Sequence, residues 1–409
     1  MYVFNSLGSN YDLATVMATL LIDNGRAHHG ELLDYLEKRY GGEVVLTYKG
    51  REAILIGLKL LQLPAKSQVV VTGFTCLAVE QAIKKAGLVP VFLDVDESLN
   101  FTPAKLQKAL REHKKIRAVL AQNTLGQPAQ IKEIKALCQK HKLYLFEDLA
   151  HSIGAKYDRK TEAGTVGDLV ALSFSQDKTI DGVSGGALIV RSRELRRKPL
   201  KEALTLSDIA PWYQVRDRIY PLLTGLIRLS YRIYLGKVLH RGAKLLHLLS
   251  NPMKYRGGDF NALPNWQAGL AMNGYIDLEA MMAHRQKIAQ AYQETINPSL
   301  VLRKQAENVT WLRFPIVVPE NKRDGLLEFL RAQGFFLRDI WYDVPVAPRQ
   351  LSGQSSYRKG TCPRAEEYCS QIVNLPTHRS IMPLQASRLA ELVNSYLAMS
   401  AKELDNLAK

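Results

Sequence analysis

The stretch SFSQDKTIDGVSGG, residues 173–186, places one lysine, Lys178, between a short apolar strand and a glycine-rich turn. DLVALSFS predicts a strand before the lysine, and GGALIVRS predicts another strand after it. A loop lysine is commonly a solvated cation. A lysine held where the backbone becomes tight and buried can instead lose its proton easily and attack an aldehyde. The sequence on either side is needed to choose between these interpretations.

Strand and helix patterns alternate before this stretch. Five apolar segments between residues 43 and 150 have the composition of buried strands, and they are EVVLTYKG, SQVVVTGF, VPVFLDVD, IRAVLAQN and KLYLFEDLA. The segments between them have helical apolar spacing, and in TPAKLQKALREH Thr102 is the expected cap with Pro103 in the first turn. Such alternation predicts an α/β fold whose mostly parallel sheet has helices on both faces.

The second half of the chain has a different organisation. Residues 195–250 have helical patterns with few strand signals, and residues 266–296 form one long helical pattern. The remaining segments suggest a small α+β unit. We therefore predict a large domain over residues 1–257, which includes a basic helical insertion at about 195–255. Residues 258–409 are predicted to hold a long helix and a small C-terminal α+β domain.

Composition excludes several classes of protein. The 409 residues are 46% hydrophobic and 23% charged, as in an ordinary globular enzyme. The four cysteines form no CxxC pair and have no neighbouring histidine ligands, so we predict no metal site and a reducing compartment. The N-terminus lacks a signal-peptide pattern, and no apolar run is long enough to span a membrane. We expect a cytoplasmic protein.

Positive charge is concentrated in one segment. The chain has a formal net charge of +16, and residues 191–256 contain fifteen basic and four acidic residues. Basic residues interleaved with apolar ones suit a helix at an anionic membrane surface, here the inner membrane, through residues 210–250. A helical hairpin packed on the body of the protein or on a dimer partner is the main alternative, and a polyanionic substrate is another. No nucleic-acid-binding motif is visible, so nucleic acid is not a predicted partner.

Candidate site residues fall at strand ends, where ligands bind in such sheets. At Gly50 the backbone can approach a ligand closely and a helix begins at once, so the free amides suit a phosphate. Asp148 and His151 follow an apolar strand, and a carboxylate buried there needs a cationic partner. Ser173 and Lys178 flank the next strand end. Taken singly, these features also suit a common turn, a helix cap and a solvated lysine.

Together these residues favour a ligand with a phosphate, a ring nitrogen and an aldehyde, and pyridoxal 5′-phosphate carries all three. We expect the phosphate on the Gly50–Arg51 turn and Ser173, and the pyridinium nitrogen on Asp148. We expect the aldehyde to form a Schiff base with Lys178. The lysine would then move the proton between the substrate carbon and the cofactor.

Several stretches resemble the DegT/DnrJ/EryC1/StrS family of aminotransferases, which mostly act on sugars. They are VVVTGFTCLAVEQAIKKAGLVPVFLDVD, NTLGQPAQIKEI, LFEDLAHSIGAKY, VGDLVALSFSQDKTIDGVSGGALIV and CPRAEEYCSQIVNLPTH. The resemblance covers residues 40–190 and 258–380. It implies the type I fold of PLP-dependent transferases, with a mostly parallel seven-stranded sheet, helices on both faces and a small C-terminal α+β domain.

The resemblance also assigns roles to individual residues. Lys178 matches the lysine that holds the cofactor, and Asp148 matches the partner of the pyridine nitrogen. The family's phosphate cradle matches Gly50, Arg51 and Ser173. Asn261 aligns with an asparagine that reaches the phosphate from a second subunit, which implies a homodimer with shared active sites.

Five positions depart from the family pattern. His151 stands where a glutamine usually binds the ring hydroxyl, and Arg51 replaces a threonine. Cys76 stands where an aromatic residue often stacks on the cofactor ring. Asn123 replaces a frequent histidine, and Leu263 replaces a frequent arginine. We therefore expect an unusual substrate pocket.

The resemblance implies transfer of an amino group from an amino acid such as glutamate to a nucleotide-linked keto-sugar, in cell-surface polysaccharide or secondary-metabolite biosynthesis. Lys178 favours transamination, because members with histidine at this position catalyse dehydration or deoxygenation. The altered pocket leaves open a PLP enzyme with another reaction or a non-sugar ketone substrate. A non-catalytic scaffold that docks on a membrane is a third hypothesis, which the intact Lys178, Asp148 and Ser173 oppose.

Overall fold

The protein has a central sheet of seven strands, and its other strands form separate two-stranded sheets. The structure, a computed structural model, describes residues 2–196, 205–250, 260–302, 308–338, 341–400 and 403. The strands are β1 (Val3–Phe4), β2 (Glu43–Thr47), β3 (Gln68–Thr72), β4 (Thr75–Cys76), β5 (Val89–Leu93), β6 (Ile116–Gln122), β7 (Tyr144–Asp148), β8 (Leu169–Ser173), β9 (Gly186–Val190), β10 (Phe314–Val317), β11 (Phe335–Phe336), β12 (Val346–Ala347) and β13 (Ile372–Leu375). The α-helices are α1 (Leu13–Leu21), α2 (Ala27–Tyr40), α3 (Gly50–Leu60), α4 (Leu77–Lys85), α5 (Pro103–Glu112), α6 (Ile131–Lys140), α7 (Arg193–Arg196), α8 (Pro211–Ser230), α9 (Leu235–Leu245), α10 (Asn265–Ile276), α11 (Leu278–Thr295), α12 (Glu320–Ala332), α13 (Pro363–Gln371) and α14 (Pro383–Ala398).

The strand order in the central sheet is β2-β9-β8-β7-β6-β3-β5. Strand β9 runs antiparallel to its neighbours β2 and β8, while the other neighbouring pairs are parallel. The mostly parallel sheet that the sequence pattern predicts is therefore confirmed, and so are the seven strands that the family resemblance implies.

Each face of the sheet has its own apolar core, because successive side chains of a strand point to opposite faces. In β3, Val69 and Val71 belong to the core that includes α3 and α4. Val70 belongs to the opposite core, which includes α5 and α6. Helices α2 and α10 cover the same side as Val70, over β2, β8 and β9. Burial on both faces explains why the strands are continuous apolar runs.

The carboxyl ends of the parallel strands form one edge of the sheet. Strand β2 ends at Thr47 and leads into α3 at Gly50. Strand β7 ends at Asp148, and β8 ends at Ser173. This edge therefore collects the candidate residues that the sequence places at strand ends, and it is where ligands bind in open α/β sheets.

The C-terminal part of the chain builds a small α+β unit. Strands β10 and β13 pair antiparallel, with Phe314 opposite Leu375, and α11, α12 and α14 contribute to their core. Strand β1 pairs with β11, so the N-terminal segment joins this unit. The predicted domain boundary between residues 257 and 258 lies outside the described residues, and this division of the chain stays a prediction.

The long helix predicted over residues 266–296 is two helices, so that expectation is wrong. Helix α10 ends at Ile276 and α11 begins at Leu278. The backbone of Asp277 (φ −84°, ψ 0°) interrupts the helical geometry between them. Its carboxylate accepts a hydrogen bond from Arg379 Nη2 at 3.1 Å, which holds the junction against the C-terminal unit. Periodic apolar spacing continues through the junction, so the sequence pattern does not show it.

The basic insertion contains a helical hairpin, α8 and α9, whose helices contact each other. Gly236 allows the close approach, because a Cβ there would lie 2.6 Å from the amide nitrogen of Tyr231. Parts of the predicted insertion, residues 197–204 and 251–255, lie outside the described residues. Across the described ranges, no helix has both the length and the apolar character needed to cross a membrane.

Candidate active site

Lys178 lies in the loop between β8 and β9, with its amine beside an indole. Its Nζ is 4.3 Å from the ring centre of Trp341, and its carbonyl oxygen accepts a hydrogen bond from Asn10 Nδ2 at 3.1 Å. Burial lowers the pKa of Lys178 to about 8, while the charges of Cys76 and Asp148 act in the opposite direction. An ordinary lysine has a pKa of about 10.4. The amine of Lys178 is thus neutral far more often near pH 7 and can act as a nucleophile.

Asp181 fixes the shape of the lysine loop. Its Oδ2 accepts a hydrogen bond from the amide of Asp177 at 2.8 Å, and its Oδ1 accepts one from the amide of Val183 at 3.0 Å. The hydroxyl of Tyr11 donates to Oδ1 at 2.5 Å. These bonds hold Asp177 at a φ of 64°, which is uncommon for a residue other than glycine. Sequence analysis missed Asp181, and its position before Gly182 in the loop is the only signal for it.

Asp148 is buried at the end of β7, with 3% of its surface exposed. Within the described residues its carboxylate makes one side-chain hydrogen bond, which it accepts from the amide of Ala150 at 2.9 Å. Burial raises the pKa of Asp148, and the Ala150 amide and the charge of Lys178 partly offset this effect. Each of the two groups, Asp148 and Lys178, therefore acts on the other's pKa. A buried carboxylate with capacity for another donor fits the protonated ring nitrogen of pyridoxal phosphate.

His151 lies in the turn after β7 and is buried. Its Nδ1 accepts a hydrogen bond from the amide of Leu125 at 3.2 Å, and Tyr342 Oη lies 3.3 Å from Nε2. Burial lowers the pKa of His151 well below its usual value, and the charges of Lys178 and Arg313 lower it further. The imidazole is therefore neutral, with its proton on Nε2. A neutral imidazole N–H can donate to a ring hydroxyl, the role predicted for this position.

The predicted phosphate cradle is closely packed. A Cβ on Gly50 would lie 2.9 Å from the Cβ of Ser173, so glycine is needed where α3 begins beside the end of β8. The first amides of a helix lack partners within the helix and attract anions. The Arg51 guanidinium extends toward α4, with Nη1 3.4 Å from Gln81 Oε1. The backbone of Arg51, and not its guanidinium, therefore lies at the start of α3.

Asn261 lies beside the cradle in its own chain. Its carbonyl oxygen accepts a hydrogen bond from the amide of Tyr48 at 2.9 Å. Its Nδ2 donates to the carbonyl oxygen of Ser207 at 3.4 Å. The structure holds one chain, so contact of Asn261 with the phosphate of a partner subunit stays a prediction.

Cys76, Asn123 and Leu263, the other positions that depart from the family pattern, lie in three different surroundings. Cys76 ends β4, immediately before α4, and is partly buried near Lys178. Asn123 holds a loop, with Nδ2 donating to Ser152 Oγ and Tyr157 Oη, both at 3.1 Å. Leu263 is 2% exposed and packs in the core beside Phe174 and Gly185. Position 263 therefore brings no charge to the substrate pocket.

The C-terminal unit adds aromatic and cationic side chains that sequence analysis missed. The indole of Trp341 stacks on His151, with ring centres 5.3 Å apart and planes at 26°. Arg313 Cζ lies 5.0 Å from the same indole centre. Tyr342 packs on Phe74, with ring centres 4.5 Å apart. These contacts join residues far apart in the chain, and the cluster WY at 341–342 after a weak strand pattern is the only signal for them.

Comparison with known proteins identifies the family of the chain. The model of the DegT/DnrJ/EryC1/StrS aminotransferase family matches residues 17–209 and 243–394. The chain belongs to this family, and the predicted aminotransferase class and pyridoxal phosphate cofactor are confirmed. The match omits residues 210–242, which contain α8 and the first part of α9.

Individual relatives cover nearly the whole chain. The UDP-N-acetyl-3-dehydro-α-D-glucosamine 3-aminotransferase of Acidithiobacillus ferrooxidans is 25% identical over 382 residues, which are 92% of this chain and 90% of that protein. Helicobacter pylori PseC, an aminotransferase of pseudoaminic acid biosynthesis, is 18% identical with a TM-score of 0.72, over 95% of this chain and 97% of its own. An E. coli GDP-4-keto-6-deoxy-D-mannose-3-dehydratase with bound hydrated PLP is 18% identical with a TM-score of 0.71, over 96% and 99%. The two structures show the shared fold.

Proposed function

We propose that the protein transfers an amino group from an amino acid such as glutamate to a nucleotide-linked keto-sugar, in polysaccharide or secondary-metabolite biosynthesis. The observation that carries the proposal is the placement of Lys178, an amine with a lowered pKa, and of the buried carboxylate of Asp148 at the ends of neighbouring strands on the carboxyl edge of the sheet. The 3-aminotransferase relative, named for a UDP-linked keto-sugar, supports the substrate class.

Each residue at the edge has a task in this proposal. When bound, pyridoxal phosphate supplies an electron-poor ring that draws electrons from the substrate carbon and carries the amino group. Lys178 would hold the cofactor aldehyde and then move the proton at the substrate carbon. Asp148 would keep the ring nitrogen protonated, and His151 would donate to the ring hydroxyl. The start of α3 at Gly50 and the hydroxyl of Ser173 would hold the phosphate.

The absorbance spectrum of purified protein tests cofactor, lysine and donor together. Wild-type protein with pyridoxal phosphate should show the visible band of the covalently bound cofactor, and glutamate should shift it to the amine form. Lys178→Ala should lose the band. Lys178→Arg keeps a positive charge at the position and should also lose it, because the reaction needs the nucleophilic amine. A wild-type protein that shows no band, or a Lys178→Ala variant that keeps it, would sink the proposal.

A different reaction on the same cofactor is the second candidate. It is favoured by the departures from the family pattern at Cys76 and Leu263, which replace an aromatic residue and an arginine, and by the dehydratase among structures with the same fold. Product analysis with a panel of nucleotide-linked keto-sugars and glutamate separates the candidates. Amino-sugar products support transamination, whereas deoxygenated sugars formed without consumption of glutamate support the alternative.

We propose in addition that the hairpin of α8 and α9 contacts an anionic membrane surface. Of the 20 large apolar side chains exposed in the described residues, 12 lie between Trp212 and Leu246. Exposure is greatest around the turn and the end of the hairpin, where Leu229 is 83%, Ile233 71% and Leu245 78% exposed. Apolar area of this extent is typical of an interaction surface.

The charge of the hairpin favours lipid over a second copy of the chain. No acidic residue occurs between Asp217 and Asp259. In α9, Leu235, Val238 and Leu245 share one side of the helix, while the basic residues occupy another side, and these are Lys237, Arg241 and Lys244. Two hairpins in contact would bring like charges together, whereas anionic headgroups would neutralise them. The family match omits residues 210–242, so the shared fold does not account for this surface.

Vesicle flotation tests the membrane proposal. Wild-type protein should float with vesicles that contain phosphatidylglycerol and remain below with pure phosphatidylcholine. The double variant Leu229→Ser/Ile233→Ser and the double variant Lys237→Glu/Arg241→Glu should remain below with both. Leu384→Ser, which removes an apolar side chain that is 82% exposed on α14, is the matched control and should float. Equal flotation after deletion of residues 210–250 would disprove the proposal, and so would a serine variant that changes only the oligomeric state.

A further inference from the structure

Trp341 contacts two of the predicted site residues, His151 and Lys178, yet the proposed chemistry assigns it no task. Its indole stacks on the imidazole of His151 and lies 4.3 Å from Lys178 Nζ. The guanidinium of Arg313 lies 5.0 Å from the same ring centre. A flat aromatic surface therefore stands directly beside the amine that would hold the cofactor.

The main chain around Trp341 is held in place by its neighbours. Its carbonyl oxygen accepts a hydrogen bond from Asn374 Nδ2, in β13, at 3.1 Å. The adjacent Tyr342 is 2% exposed, packs on Phe74 and places its hydroxyl 3.3 Å from His151 Nε2. The indole is thus fixed to the C-terminal unit and reaches across to the carboxyl edge of the central sheet.

A cofactor held by Lys178 would lie close to this indole, because the indole contacts the amine that would hold it. Lys178 would hold the cofactor through its aldehyde carbon with loss of water, so that one carbon would separate the ring from Nζ. The ring would therefore lie near Nζ, the atom that the indole of Trp341 contacts. An electron-poor pyridinium ring is attracted to the electron-rich face of an indole, as cations are.

Cys76 offers no comparable surface. It lies just before α4, near Lys178 and Tyr342, and its side chain has neither a flat face nor π electrons. We propose that Trp341 supplies the aromatic surface against which the cofactor ring rests, so that the C-terminal unit provides the contact that residue 76 lacks. The inference rests on the proposed role of Lys178.

Tryptophan fluorescence and cofactor affinity together test the inference. The chain has four tryptophans, and Trp212, which is 51% exposed on α8, is a matched control. Titration of cofactor-free protein with pyridoxal phosphate should quench wild-type emission, and Trp341→Leu should lose a large part of that quenching. Trp341→Leu should also bind the cofactor about 3- to 10-fold more weakly. Trp212→Leu should match the wild type in affinity.

A conservative variant, Trp341→Phe, separates the loss of the indole from any misfolding of Trp341→Leu. Trp341→Phe retains an aromatic face, so it should bind the cofactor within about 2-fold of wild type while losing the same part of the quenching. If wild type shows the band of bound cofactor and Trp341→Leu equals it in affinity and quenching, the inference is overturned. If wild type shows no band at all, the proposed function fails first, so the two failures are distinguishable.

Discussion

At the scale of single residues, the buried Lys49 and the partly buried Lys178 show that a lowered pKa alone does not mark the reactive amine. Burial lowers the pKa of both Lys49 and Lys178 to about 8. Lys49 Nζ donates a hydrogen bond to Ser184 Oγ at 2.9 Å. Within the described residues, no hydrogen bond or ion pair uses Lys178 Nζ, which rests beside the indole of Trp341. The amine of Lys178 is the one available for a ligand.

The lowered pKa predicts how covalent binding of the cofactor depends on pH. Because only the neutral amine attacks the aldehyde, the association rate should rise with pH and reach half its maximum near the pKa of about 8 of Lys178. Stopped-flow absorbance of the covalent band, between about pH 7 and about pH 10, measures the midpoint. Nα-acetyllysine provides the reference curve for a solvated amine. A midpoint for the protein that coincides with this reference would contradict the lowered pKa of Lys178.

At the scale of elements, local sequence signals were sufficient where neighbours in the chain decide the structure. The predicted start of α5 is confirmed, since Thr102 Oγ1 accepts a hydrogen bond from the amide of Lys105 at 3.3 Å and Pro103 follows the cap. The junction at Asp277 was not predictable, because its contact with Arg379 is made across 102 positions of sequence. Likewise, apolar spacing predicted helices in the insertion but not which side of them is exposed.

The close packing at the start of α3 can be tested by adding one methyl group at Gly50. Gly50→Ala places a Cβ 2.9 Å from the Cβ of Ser173, so we expect a loss of about 1–3 kcal/mol in the free energy of unfolding and weaker cofactor binding. Urea denaturation and cofactor titration measure the two effects.

The matched control for this change is a glycine in an open position. Gly30 lies within α2, and a Cβ there would have no atom within 4 Å. Gly30→Ala should stabilise the protein by about 0.5–1 kcal/mol and leave cofactor affinity unchanged. If Gly50→Ala behaved like Gly30→Ala, the close packing of the cradle would not matter for function.

At the scale of the whole molecule, the sequence predicted the central sheet better than it predicted the site. Strands and helices of the first half follow local periodicity, so Asp148, Ser173 and Lys178 could be placed on one edge. Trp341 and Tyr342 could not be placed there, because a pattern within one segment does not show which distant segment it will contact. The aromatic side of the site comes from the C-terminal unit, and the sheet alone does not form it.

The predicted dimer with shared sites can be tested by mixing two inactive variants. Lys178→Ala removes the reactive amine, and Asn261→Ala removes the side chain predicted to reach the partner's phosphate. If the two residues of one site come from different subunits, half of the randomly paired dimers are mixed and each has one complete site. Activity should then return to about a quarter of the wild-type value. Mixed dimers that form but stay inactive would show that each site is built from a single chain.

The hydrogen bond between Tyr11 and Asp181 has a practical consequence for anyone handling this enzyme. It ties the first residues of the polypeptide to the loop that carries the reactive amine. Removal of residues 1–12 would delete this hydrogen bond together with strand β1, while the seven strands of the central sheet would remain. Preparations that differ only at the N-terminus should therefore differ in specific activity. Mass spectrometry of the N-terminus should precede any comparison of assays between preparations.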